Sequence, residues 1–553
     1  MPVLVIGGGA FALGVFLGAT SVSEDTARRF VDAWARGDFP AMHAELTKDA
    51  AARYPLGRFT TIYENAERVA TVDVIEREDP ESDGGTVSVP VLIRTHAFGD
   101  VQGTLSIPVA DGKIGWEPHL VFPGLAEGEG LSRRVEVPER APILAKDGTP
   151  LADGPGATRS SPIAGATINV AGELGVPKRA EEAELEQLGF PDGALTGTSG
   201  LEQAFNTRLA GQPGGELIAE GAGPGGDQGR VLATGSPRKG KPVRTTIDPD
   251  LQEATAAALG DAFGGVAVLD AEDGSVLALA GIAFSSPQPP GSSFKVVTTT
   301  AALDAGLVKP SDTFPVESSR IVGGREIANA GDEACGGTFT NSFAHSCNTV
   351  FAPLGTEVGD RELVNMAERY GWNSPPTLYN ERATAITEPG EATIPTNIGT
   401  ELDLAVSAIG QGEVLATPLT MASVSQTVAA GGVRSPNAIV TEPPLGPDAK
   451  PVKVTSEKTA ATLRELMVGV VSGGTGTAAA LPGIEVAGKT GTAELGPAPA
   501  SPGEPAQKQD AWFTAFAPAQ NARLAVAVMI ANTTEDGGTV AAPVAREVLA
   551  AGL

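Results

Sequence analysis

Gly483-Ile-Glu-Val-Ala-Gly-Lys-Thr-Gly-Thr-Ala493 can be read in two ways, and the choice decides the fold. From Gly483 to Thr490 it fits the phosphate-loop pattern G-x-x-x-x-G-K-[ST]. A phosphate loop opens a helix whose amino terminus receives the anion. Here Gly491 follows Thr490 at once, and Ile484-Glu-Val-Ala487 fills the positions that must bend into a cradle. The one stretch that resembles a magnesium-binding strand, Val266-Ala-Val-Leu-Asp270, precedes the loop instead of following it. Read as a strand, Val486 to Ala493 joins two more, Trp512 to Ala517 and Leu524 to Ile530. In the last, Leu524, Val526, Val528 and Ile530 recur at every second position, the period of a pleated strand. Val266 to Asp270 and Val276 to Ala280 flank the turn signal Asp273-Gly274. Two strands at the start and three at the end give one five-stranded, mainly antiparallel sheet. The Ala-rich helical middle and a final helix, Ala542 to Ala550, pack against it.

The whole chain has 553 residues, room for three to four domains at about 150 residues each. Its 67 acidic against 39 basic side chains leave a net charge of −28. That balance excludes a nucleic-acid binder, which needs a basic face for phosphates. With 41% apolar residues the charge is too dilute for a disordered polyelectrolyte. Two cysteines, no Cys-x-x-Cys and four histidines offer no metal site, and no cofactor is implied.

Upstream, Pro2 to Ser23 carries no charge and reads as a membrane anchor or secretory signal over residues 1–23, with the bulk of the chain outside the cytoplasm. No basic residue precedes it, contrary to the usual positive flank. Residues 24–128 read as a small α+β domain. Ala27, Phe30, Val31 and Trp34 mark one helix face, capped by Ser23 and ended by Gly37. Val87, Val89, Val91 and Ile93, then Leu105, Ile107 and Val109, mark half-buried strands. His43, His96 and His119 are scattered and take structural roles. Residues 129–242 alternate short extended runs with Gly and Pro. They hold one acidic helix near Arg179 to Leu188, a Gly-rich loop from Gly211 to Gly229, and a basic linker from Ser236 to Arg244.

Chemistry concentrates in residues 243–553. No G-x-S-x-G elbow exists and His345 is the sole histidine there, which disfavours a Ser-His-Asp hydrolase. A serine–lysine pair is better placed. Ser292-Ser-Phe-Lys295 follows Pro289-Pro290-Gly291 and opens an apolar helix, so Lys295 lies one turn after Ser292 on the same face. The helix amino terminus favours negative charge on the serine oxygen. A second S-x-x-K, Ser236-Pro-Arg-Lys239, sits in the basic linker. Ser346-Cys-Asn348 is an S-x-N motif, with a lookalike at Ser435-Pro-Asn437. Lys489-Thr490-Gly491 occurs once. Alternation sends Lys489 and Gly491 to one side of its strand and Thr490 and Thr492 to the other. Both sets serve one site only if the strand borders a cleft.

S-x-x-K, S-x-N and K-T-G in this order are the signature of penicillin-recognising serine transferases and β-lactamases. The chain resembles a class B penicillin-binding protein. Further likenesses are Thr246-Ile-Asp248 with Leu251-Gln252, Ala408-Ile-Gly-Gln-Gly412 with Thr417-Pro-Leu-Thr-Met-Ala422, and Lys489-Thr-Gly-Thr-Ala-Glu494 with Ala511-Trp-Phe513. Ser199-Gly-Leu-Glu202 and Leu209-Ala-Gly211 resemble the non-catalytic pedestal, or dimerisation, domain, expected over 129–242. Residues 24–128 resemble the cone-shaped domain of methicillin-resistance-type members. The implied fold is multidomain α+β, its transpeptidase domain over 243–553 of the serine β-lactamase-like class.

The resemblance implies a peptidoglycan D,D-transpeptidase in the cell membrane, acting on stem peptides, trapped by β-lactams and partnered by a membrane glycosyltransferase. It implies Ser292 as nucleophile, Lys295 as its base, and Ser346, Asn348 and Lys489 as their network. Thr490, Gly491 and Thr492 then border the substrate, with the N–H groups of Ser292 and Thr492 forming the oxyanion hole. Two readings compete: a carboxypeptidase or β-lactamase using the same acyl-serine, and a non-catalytic cell-wall sensor or scaffold. Cys335 and Cys347 can pair in an oxidising compartment or remain buried thiols.

Overall fold

The computed structural model describes residues 21–221, 229–378, 390–445, 449–496 and 507–553. The expected anchor, apart from its last residues, lies outside them. Among the described residues no helix is long and apolar enough to cross a membrane. The chain forms two compact units: 1–138 with 177–194 and 211–239, and 139–176 with 195–210 and 240–553. The stretch expected as a pedestal contributes to both.

In the first unit, helices Val22–Trp34 and Leu56–Ala70 pack on an antiparallel sheet built on Thr86–Thr95 and Gly99–Ala110. The alternating residues lie where their period requires: Val87, Val89 and Ile93 are buried, facing Ile107, Leu105 and Val101. The first helix is capped by Ser21, not Ser23. Ser21 Oγ accepts from Glu24 N while Glu24 Oε2 accepts from Ser21 N, a reciprocal box for which Ser23 lacks the spacing. Phe30, Trp34, Phe59, Tyr63 and Trp116 fill the space behind the sheet. The acidic helix is Arg179–Gln187. Of the Gly-rich stretch expected as a loop, Gly214–Gly221 is instead the central strand between Glu129–Glu136 and Arg230–Gly235, and residues 222–228 lie outside the described residues. Its glycines permit close strand approach, since a Cβ on Gly215 would meet Arg134 O.

The second unit is built on the expected five-stranded sheet. Its strands are β1 (Gly264–Asp270), β2 (Val276–Gly281), β3 (Ala487–Glu494), β4 (Gln509–Ala517) and β5 (Leu524–Thr533), in spatial order β2-β1-β5-β4-β3 and antiparallel throughout. The β1–β2 turn closes where Gly274, at φ +76°, donates its N–H to Asp270 O. Period two divides the sheet between two cores. Ala267, Leu269, Trp512, Ala525 and Ala527 belong to the larger core with the helical middle, and Val266, Val268, Phe513, Ala515, Val526 and Val528 to a smaller one. Because both faces are covered, the strands read as near-continuous apolar runs. The middle supplies α1 (Lys295–Asp304), α2 (Phe339–Ala344), α3 (Asn348–Val358), α4 (Pro418–Ala429) and α5 (Glu457–Gly473), and the chain ends in α6 (Ala542–Gly552). Ser199-Gly-Leu-Glu202 has a structural role. Glu202 is 1% exposed and its oxygens meet Arg140 Nε at 2.7 Å and Arg159 Nε at 2.5 Å.

Candidate active site

Ser292 lies in a 3₁₀ turn, Gly291–Phe294, that runs directly into α1. Side chains three apart eclipse in such a turn, so Ser292 and Lys295 share a face. Gly291 adopts φ +52°, and a Cβ there would stand 2.3 Å from Thr492 O. A Cβ on Gly491 would stand 2.5 Å from Pro290 O. Two backbones therefore touch where the turn meets β3, and only glycine fits on either side. This contact, with the Gly291 N–H donated to Gly410 O at 2.8 Å, sets Ser292 against the Lys489 strand.

Ser346 lies between α2 and α3 at φ +59°, a left-handed conformation unusual for serine and costing roughly 1–3 kcal/mol. The Ser346 N–H to Phe343 O bond at 3.2 Å and the Cys347 N–H to Ser342 O bond at 2.9 Å hold it there. The strain turns both its oxygens to the buried lysines. Lys295 Nζ donates to Ser346 O at 2.7 Å and to Asn348 Oδ1 at 2.6 Å, and stands 3.2 Å from Ser346 Oγ. Lys489 Nζ donates to Ser346 Oγ at 2.9 Å and to Thr490 O at 3.0 Å. Ser346 Oγ thus bridges two amines.

Both lysines are fully buried. Burial holds Lys295 well below the usual lysine range, and the Lys489 charge pushes it further. Burial brings Lys489 down to about 7. The Phe351 ring lies 5.2 Å from Lys295 Nζ, and the Phe343 ring 5.8 Å from Lys489 Nζ. These ring faces offer the ammonium forms partial compensation for lost water.

β3 is an edge strand, so one side of its backbone has no strand partner, while the side chains of Lys489 and Thr490, on its two faces, are both buried. Thr490 Oγ1 pairs with Thr475 Oγ1 at 2.6 Å. Thr492 O accepts from Gln411 Nε2 at 3.4 Å, pointing away from β4. In an extended strand a residue's N–H and C=O share a direction, so the Thr492 N–H also points outward. Ser292, Lys295, Ser346, Asn348, Lys489, Thr490, Gly491 and Thr492 are therefore brought together. The lookalikes stand apart. Ser236 and Lys239 are outside any helix and in the first unit. Ser435 N–H is tied to Gln426 Oε1 and Asn437 Nδ2 to Gly274 O. Gly483–Thr490 leads into β3, not a helix.

Sequence reasoning missed Thr475, Phe343 and Phe351. Thr475 has a faint signal, Ser472-Gly-Gly-Thr-Gly-Thr477 at the end of α5. The phenylalanines belong to no motif and carry no signal in the sequence.

Cys335 and Cys347 form a disulfide with Cα atoms 5.4 Å apart, tying the segment before α2 to the S-x-N turn. On the chain-entropy model so short a loop contributes roughly 3 kcal/mol. Thiol titration of the unreduced, denatured protein is expected to find no free thiol; two would exclude the bridge.

Residues 264–550 match the penicillin binding protein transpeptidase domain, and residues 22–129 the NTF2-like N-terminal transpeptidase domain of the MecA type. The chain belongs to the penicillin-binding protein transpeptidase family, as a class B member with a MecA-type N-terminal domain. It is 34% identical over 391 residues to the peptidoglycan D,D-transpeptidase PbpA of Mycobacterium tuberculosis, covering 59% of this chain and 76% of that protein. It is 32% identical over 390 residues to PbpA of Mycolicibacterium smegmatis, covering 59% and 76%. Among solved structures it resembles the ceftriaxone acyl-enzyme of penicillin-binding protein A from M. tuberculosis, at TM-score 0.58 and 27% identity over 75% of this chain and 98% of that one. Penicillin-binding protein 3 of M. tuberculosis with aztreonam gives TM-score 0.58 and 26% identity over 75% and 96%.

Proposed function

We propose that this protein is a peptidoglycan D,D-transpeptidase that cross-links stem peptides through an acyl-enzyme on Ser292. The observation that carries the site assignment is the chain Lys295–Ser346–Lys489 beside the Ser292 turn. A neutral amine has two N–H donors and one lone pair. Ser346 O and Asn348 Oδ1 accept only, so they take both donors of neutral Lys295. Its lone pair is left for a hydroxyl proton, which is what a general base requires. Burial and the neighbouring Lys489 charge favour that neutral state.

Ser292 Oγ attacks the carbonyl between two terminal D-alanines and gives its proton to Lys295. The outward N–H of Thr492 and that of Ser292 hold the oxyanion. One such donor is worth on the order of 10²–10³ in rate. The peptide C–N bond breaks, and the leaving D-alanine nitrogen takes a proton relayed through Ser346 Oγ. An amine of a neighbouring stem peptide then displaces Ser292, forming a new amide and returning its proton to the network. Thr490 and Thr492, with protonated Lys489, hold the substrate carboxylate. A β-lactam enters as the donor and leaves an ester on Ser292. The apolar run before Ser23 is assigned as the membrane anchor, and the Cys335–Cys347 disulfide suits the oxidising side of the membrane. A membrane glycosyltransferase is the assigned partner.

A time course of intact mass with benzylpenicillin tests the reading. One adduct lasting hours, on the peptide containing Ser292, is the expected outcome. An adduct that vanishes while penicillin is consumed means a β-lactamase. No adduct, with an acyl-donor thioester also unreactive, means a scaffold.

A further inference from the structure

Asn348 is held by a segment that none of the three motifs contains. Its Oδ1 accepts from Lys295 Nζ at 2.6 Å, while its Nδ2 donates to Ala328 O at 2.9 Å, which fixes the direction of the amide. The next residue, Asn329, is 7% exposed and uses both ends of its own amide. Oδ1 accepts from Thr349 N at 3.1 Å and Thr349 Oγ1 at 3.3 Å, and Nδ2 donates to Glu317 O at 2.7 Å and Glu333 O at 2.9 Å. Thr349 is the second residue of α3, whose N-cap is Cys347. An N-cap side chain normally accepts from that second or third N–H. Cys347 makes no such bond, and its sulfur is committed to Cys335. Asn329 Oδ1 supplies the missing acceptor from a segment about twenty residues upstream.

We propose that Asn329 is a positioning residue for acylation: it caps α3 in place of Cys347, and so holds Asn348 against Lys295. This deepens the transpeptidase reading and rests on it, because its effect is read at Ser292. The two ends of the amide make separable predictions. The Oδ1 end holds the S-x-N helix, and the Nδ2 end holds only the carbonyls of Glu317 and Glu333. Asn329→Asp keeps the acceptor toward Thr349, at a helix amino terminus where a carboxylate is favoured, and at the other end replaces the two Nδ2 donors by an oxygen that repels the carbonyls of Glu317 and Glu333. Asn329→Ala removes everything.

The test is stopped-flow acylation by a chromogenic cephalosporin on the full chain, separating the non-covalent Kd from the acylation rate constant. Asn329→Ala is expected to slow acylation about 10–100-fold at unchanged Kd, the scale on which misplaced catalytic groups lose rate. Asn329→Asp is expected within about threefold of wild type. Wild-type acylation in Asn329→Ala overturns the assignment, as does equal slowing in both variants, which would mean that the amide serves only to fold its own segment. If Asn329→Ala does not fold, the Asp variant decides: acylation within threefold upholds the Oδ1 role, and a loss beyond tenfold sinks it. Failure of the transpeptidase reading shows differently, as wild-type label absent or on a peptide without Ser292, and it removes both.

Discussion

Ser292→Ala is expected to lose all covalent β-lactam labelling, while Ser236→Ala keeps all of it. The two serines begin the same four-residue pattern, so sequence spacing by itself does not separate them. Their surroundings do. Ser292 is seated on a 3₁₀ turn that shares a face with a fully buried lysine and is pressed against the Lys489 strand by two glycine contacts. Ser236 follows the strand Arg230–Gly235 in exposed chain, with Pro237 next to it. Removing the nucleophile of a serine enzyme costs on the order of 10⁶ in kcat. No covalent product remains to be seen by mass. Persistence of the label in Ser292→Ala would mean that the whole constellation had been misassigned. The variant should otherwise fold, since Ser292 is only half-buried and the geometry of its turn resides in Gly291.

The sheet was legible because its two faces are both covered. Five apolar runs separated by turn signals admit little else, and the strand ends fall within three residues of where period and turn chemistry put them. Leu524, Val526 and Val528 identify one face, and their register against Val266 and Val268 on β1 could not be read because pairing is a long-range choice. The strand Gly214–Gly221 was hidden for the opposite reason. Its glycines signal loops locally, but here they serve close backbone approach, which only the folded neighbours reveal. The three motifs could be found because they are contiguous in sequence. Asn329 could not, since its partners Thr349, Glu317 and Glu333 are united only by the fold. Ser346 shows a subtler limit. Its sequence context announces an S-x-N motif but not the left-handed backbone that turns its hydroxyl between two lysines.

The second large effect concerns pH. Acylation needs Lys295 neutral, to take the Ser292 proton, and Lys489 charged, to meet the substrate carboxylate. Burial favours the neutral form of each, but the Lys489 charge depresses Lys295 further. Lys295 therefore gives up its proton first as pH rises, and Lys489 follows near pH 7. The second-order acylation constant, which reports the free enzyme, should rise through the Lys295 ionisation and fall on the alkaline side of about pH 7. Two substitutions separate the limbs. In Lys489→Arg the guanidinium stays charged throughout the accessible range, so the alkaline limb should vanish, with the peak rate lowered by the larger group. In Lys489→Ala the alkaline limb should also vanish, and the rate should fall by about 10²-fold with the lost charged contact. The acid limb should move as well, because removing a nearby positive charge lets Lys295 hold its proton to higher pH. That shift is the diagnostic part. A Lys489 that only bound substrate would leave the acid limb unmoved. A Lys489 that also sets the basicity of Lys295, through the few ångströms spanned by Ser346 Oγ, must displace it toward alkaline pH.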